Sequence, residues 1–68
     1  MEILFSKRIR ELRIEKGLKQ SDVARHLKVT PATVTRWENN TQEPDYLTLY
    51  VLAQFFDVSA DYLLGLED

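Results

Sequence analysis

Cysteine is absent, which excludes a disulfide framework, a thiolate nucleophile and a cysteine-rich zinc site, and suits a reducing cytoplasm. Glycine and proline are scarce, two of each in 68 residues, too few for a collagen-like or low-complexity segment. Gly17 and Gly65 are also too far apart to build a phosphate-cradling glycine loop. No apolar run approaches the ~20 residues that cross a bilayer. Ile3, Leu4 and Phe5 give way to Lys7 and Arg8 long before a signal peptide's apolar region would be complete. The expectation is a cytoplasmic protein with no membrane partner.

Catalytic chemistry is equally thin. His26 is the single histidine and reads as a surface residue. Glu11 and Glu15 lie one turn apart on a helix, but Arg8 precedes Glu11 by three positions, the spacing of an ion-paired surface and not of an acid–base pair. No enzyme, cofactor, metal site or small-molecule ligand is expected.

Basic residues are missing from the second half altogether. All nine Lys and Arg fall in residues 1–36, with Glu2, Glu11, Glu15 and Asp22 as the only acids there. Residues 37–68 hold seven acids and no base, so a +5 half and a −7 half make up the formal charge of −2. Such an asymmetry offers a local positive face to a polyanion and keeps the acidic half away from it. With 44% hydrophobic residues the chain reads as one small globular domain over 1–68. A core of this size is only marginally stabilising, so association with a second subunit is the expected support.

No stretch alternates apolar and polar residues as a half-buried strand would, and five stretches have helical spacing. The fold class predicted is all-α. The first helix spans about Phe5 to Lys16 with Phe5, Ile9 and Leu12 inward, and Gly17 follows as a left-handed cap. The second, Gln20 to Leu27, buries Val23, Ala24 and Leu27. Thr30 then caps a third helix that has Pro31 at its first position and ends near Asn39-Asn40. Asp45 opens a fourth, Tyr46 to Phe56, with Tyr46, Leu49, Leu52, Ala53 and Phe56 on its core side, and Ser59 opens a short fifth that ends at Gly65.

At about 100° per residue, the third helix puts Val34, Trp37 and Glu38 on its inner side and Ala32, Arg36 and Asn39 on its outer side, with Thr33 and Thr35 flanking. A methyl, a bidentate cation, an amide and two hydroxyls can address base edges and phosphates in a DNA major groove. Arg13 and Glu38 lie beside buried stripes, where an unpaired charge would be costly.

These residues carry a specific resemblance. Arg13, Gly17-Leu18-Lys19-Gln20, Ala24, Leu27, Val29-Thr30, Val34, Trp37-Glu38, Pro44, Leu49, Ala53, Phe56, Val58-Ser59 and Leu63-Leu64 stand at the spacing of the Cro/cI-type, or XRE, helix-turn-helix family, over about residues 5–65. The resemblance implies a compact five-helix lambda-repressor-like domain whose third helix enters the major groove of double-stranded DNA. It further implies DNA contacts from Lys19, Gln20, Thr30, Ala32, Thr33, Thr35, Arg36 and Asn39, and an Arg13–Glu38 pair tying the first helix to the third. Lys28 and Asn40 stand where the family often has glycine. Asn40 tolerates a left-handed backbone, whereas Lys28 needs either another geometry or strain. The loop Thr41-Gln42-Glu43 lacks the family's phosphate-clamping bases.

Leu47, Val51 and Phe55 remain as an apolar stripe on the side of the fourth helix away from the core, continued by Tyr62 and Leu66. A continuous exposed stripe marks an interface. A homodimer seam is the expected use, with a further domain, or Ile3-Leu4 folding back, as the other ways to cover it. The expected function is a sequence-specific transcriptional regulator, a repressor acting as a homodimer on a two-fold operator. The alternatives are an antitoxin-type module that binds another protein, or the head of a longer repressor.

Overall fold

The computed structural model describes residues 3–68, within which five helices and no strand occur. They are α1 (Phe5–Glu15), α2 (Gln20–Leu27), α3 (Pro31–Glu38), α4 (Tyr46–Phe56) and α5 (Ala60–Leu64). The starts of α2 to α5 are chemically marked, whereas α1 follows Leu4 with no side-chain cap. The Asp22 carboxylate accepts the Lys19 backbone N–H at 2.8 Å at the head of α2. Thr30 Oγ1, Asp45 Oδ1 and Ser59 Oγ accept the backbone N–H groups of Thr33, Thr48 and Tyr62 at the heads of α3, α4 and α5. These bonds satisfy donors that a helix cannot pair internally.

The ends are marked by left-handed backbone. Gly17, Lys28, Asn40, Asp57 and Gly65 all have positive φ, with Lys28 at 59° and Asn40 at 60°. Lys28 therefore takes the strained option, and closure of α2 offsets it: the Val29 N–H reaches back to the Ala24 carbonyl at 3.0 Å. Gly65 is fixed by space as well, since a Cβ there would lie 2.9 Å from Leu4 Cγ.

Eleven residues form the core: Phe5, Ile9 and Leu12 of α1, Val23 and Ala24 of α2, Val34 and Trp37 of α3, Leu52, Ala53 and Phe56 of α4, and Leu63 of α5. Leu52 and Leu63 are completely buried, and the Phe5 ring meets Trp37 edge-on at 6.5 Å. Leu27, expected inside, is half-buried against this core. The short α5 is held from the other end of the chain. Leu4 donates its backbone N–H to the Leu64 carbonyl at 3.3 Å, and Arg8 donates to the Tyr62 and Glu67 carbonyls with its guanidinium 4.2 Å above the Tyr62 ring.

Helix α4 departs from the expectation. Tyr46, assigned to the core side, is 88% exposed, and Tyr50 is exposed as well. Conversely, Phe55 is half-buried, its ring 4.3 Å from that of His26 and 4.9 Å from that of Phe56. The monomer therefore uses Phe55 and Tyr62, two members of the expected seam. The cause lies in the helix sequence: only Thr48 and Gln54 break an apolar surface that runs all the way round, so periodicity alone does not say which way it faces.

Candidate nucleic-acid interface

Three residues, Lys28, Val29 and Thr30, join α2 to α3, and this short connection keeps the two helices packed together. Val34 and Trp37 anchor α3 from below. Ala32, Arg36 and Asn39 are exposed on its other side, Thr33 and Thr35 are half-buried beside them, and Lys19 and Thr30 are exposed at the edges. Among the described residues, Lys19 and Arg36 take part in no ion pair, so both cations are available to an outside partner. Arg25, by contrast, is paired with Asp22 at 3.1 Å. The α3 helix ends cleanly because the Thr41 N–H returns to the Arg36 carbonyl at 2.9 Å.

The helix pair is oriented by one hydrogen-bonded chain. Arg13 Nε donates to Glu38 Oε2 at 2.7 Å and Arg13 Nη2 to Glu38 Oε1 at 3.1 Å, while Arg13 Nη1 donates to the Leu18 carbonyl at 2.9 Å. The side chains are only 14% and 4% exposed, so this is a sheltered, forked ion pair joining α1 to α3. Its hydrogen bonds to Glu38, opposed in part by burial, push the already high Arg13 pKa further up. The same Glu38 Oε1 accepts from Gln20 Nε2 at 3.1 Å, and Gln20 Oε1 accepts from the Thr35 hydroxyl at 2.7 Å.

That second half of the chain is what sequence reasoning missed. The resemblance implies DNA contacts from Gln20 and Thr35, and the structure ties the two to each other. No spacing rule links positions 20 and 35 on separate helices. Among the described residues there is no cluster of three or more His, Asp and Glu suited to a metal, and no helix is long and apolar enough to cross a membrane.

This arrangement of a capped α2, a short turn and an α3 with one polar face is that of a helix-turn-helix unit. The Helix-turn-helix family model matches residues 9–63, and the chain belongs to this family, in its XRE-type branch. It is 39% identical over 61 residues to the HTH-type transcriptional regulator YqaE of Bacillus subtilis, covering 90% of this chain and 53% of that protein. A transcriptional regulator from Listeria innocua superposes with a TM-score of 0.93 at 31% identity, over 100% of this chain and 64% of that one. The P22 c2 repressor solved in complex with a synthetic operator superposes with a TM-score of 0.87 at 28% identity, over 94% of this chain and 97% of that one. The chain spans about half the length of the curated relatives it matches.

Proposed function

We propose that this chain is the DNA-reading unit of a cytoplasmic transcriptional regulator, a binding module and not an enzyme, which represses by occupying a two-fold operator as a homodimer. The observation that carries this reading is the exposed set Ala32, Arg36 and Asn39 on a helix held rigidly from behind by Val34, Trp37 and the Glu38 ion pair. In this reading α3 enters the major groove with Arg36 forked onto O6 and N7 of a guanine. Lys19, at the head of α2, meets a phosphate, and Thr30, Thr33 and Asn39 border the groove. Arg13 and Glu38 orient α3 and touch no DNA. The likeness to a repressor solved with its operator supports the reading.

The seam of the proposed dimer is the outer side of α4, now redrawn. Leu47, Tyr46, Tyr50 and Leu66 are all more than half exposed, with Val51 half-buried among them. Binding of duplexes drawn from a random pool, measured for two variants, tests the function. Arg36→Ala should cost about 1–3 kcal/mol on the selected site and flatten the preference at one base pair. Lys19→Ala should weaken all sequences alike and make binding less steeply dependent on salt. Equal weakening of every sequence by Arg36→Ala would reduce that residue to a phosphate contact, and no binding at low salt would sink the reading.

A further inference from the structure

The chain Arg13–Glu38–Gln20–Thr35 does more than hold two helices together; it sets which hydrogen-bonding groups the α2 flank of α3 can offer. Glu38 is a carboxylate whose side chain is 4% exposed and which is ion-paired to Arg13, so towards Gln20 it can only accept. The Gln20 amide must therefore turn its Nε2 to Glu38, because the flipped amide would set two oxygens against each other. Its Oε1 is thereby delivered to Thr35, whose single hydroxyl proton is drawn to it at 2.7 Å. The next acceptor of that proton, the Pro31 carbonyl one turn back, stands at 3.2 Å and also belongs to the protein. Thr35 is left with an oxygen lone pair and a methyl group to turn outward. It has no proton to give.

We propose that this polarity makes the Thr35 flank a reader of an A·T pair next to the guanine taken by Arg36, with Glu38 as the positioning residue behind the choice. In the major groove a guanine edge presents only acceptors, N7 and O6, which an oxygen with no free proton cannot engage. An A·T pair presents the adenine N6–H donor, which that oxygen can accept, and beside it the thymine C5 methyl, which the Thr35 methyl can cover. A cytosine N4–H would satisfy the oxygen but leaves the methyl unmatched. This inference rests on the DNA-reading proposal above and adds to it the class of base pair and the reason for it.

The test uses the wild-type chain and three variants, Arg36→Ala, Thr35→Ser and Gln20→Ala, that leave the Arg13–Glu38 pair untouched. Duplexes selected by the wild-type chain should contain an A·T pair on the α2 side of the guanine whose preference Arg36→Ala abolishes. Replacing its thymine by uracil removes one methyl and should weaken wild-type binding roughly fourfold, the value of burying one such group. Thr35→Ser, which keeps the hydroxyl and removes the methyl, should bind the thymine and uracil duplexes equally. Gln20→Ala removes the 2.7 Å acceptor and leaves the Thr35 proton only the 3.2 Å bond to the Pro31 carbonyl. That longer bond is weak enough to be exchanged for a base acceptor, so guanine should compete at that pair, whereas a purely structural Gln20 would lower affinity for all sequences by one factor. Selection of a site in which uracil substitution has no effect, or in which Gln20→Ala leaves the base preference unchanged, overturns the inference while the DNA reading stands. A wild-type chain that selects no sequence overturns both.

Discussion

At the scale of single residues, Lys28 and the pair Arg13–Glu38 show how this chain trades local cost against tertiary gain. Lys28 holds φ at 59°, a backbone conformation that costs a residue with a Cβ about 1–2 kcal/mol. Its side chain is exposed and the turn it makes aims α3, so the cost can be removed without touching the interface. Lys28→Gly should raise stability by up to about 1 kcal/mol, part of the relief being offset by the freer unfolded chain. Denaturant melts that show the variant less stable than wild type would mean that the lysine stem packs usefully along α2. Arg13 and Glu38 are the opposite case, a sheltered pair in which each charge needs the other. Truncating either to Ala should cost about 3–5 kcal/mol, while replacing both by apolar residues of similar volume should come close to neutral. Melts of the two single variants and the double variant decide this. Single losses below about 1 kcal/mol would show a pair that solvent screens.

Among the helices, start signals matter because each is short and α5 has only five residues. Isolated helices of such lengths are marginal in water, so caps and core packing carry them. Two of the caps are titratable. The Thr48 backbone N–H holds the Asp45 carboxyl below the usual carboxylate range, and the Lys19 backbone N–H, helped by Arg25, does the same for Asp22. Since each folded-state pKa lies below the unfolded one, the stabilisation is fully present above the ordinary value of 3.8 and is lost as the pH falls through it towards the depressed values. Asp45→Asn keeps a good cap without the charge. The variant should match wild type closely near neutral pH and lose less stability below pH ~4. Thermal melts from pH 6 to 2.5 measure it, and parallel curves for the two chains would show that the Asp45 cap contributes nothing to acid unfolding.

For the whole molecule, the distribution of charge and apolar surface links the proposed DNA face to the proposed seam. Asp45 and Asp57 cap the two ends of α4, Asp61, Glu67 and Asp68 follow it, and no basic residue occurs after Arg36. Two copies joined through α4 would bring two acidic halves together, and salt screens such repulsion. Added salt should therefore tighten self-association while it weakens DNA binding, two slopes of opposite sign in one protein. Sedimentation and duplex titration over the same salt series measure both. Leu47→Glu, at a position 62% exposed in the monomer, should leave the fold intact and abolish the dimer. A variant that still dimerises would place the seam elsewhere.

The sequence by itself determined the five helices, the caps at Thr30, Asp45 and Ser59, and the inward residues Phe5, Ile9 and Leu12 of α1, Val23 and Ala24 of α2, and Val34 and Trp37 of α3. Those follow from local signals: capping side chains, Pro31 at a first position, residues able to turn left-handed, and a clear 3.6-residue period. The outward set on α3 was legible for the same reason, because a helix with two unlike faces announces its orientation. What remained for the tertiary structure was everything that depends on another element coming near. Helix α4 is apolar on all sides, so only its neighbours could decide that Tyr46 faces water and that Phe55 lies against His26 and Phe56. The bond from Gln20 to Thr35 joins side chains fifteen positions apart, and the bond from Glu38 to Gln20 joins residues eighteen apart. Hydrogen bonds of that reach are set by how helices pack, which no local pattern encodes, and they fix which protons the α3 surface has left to give.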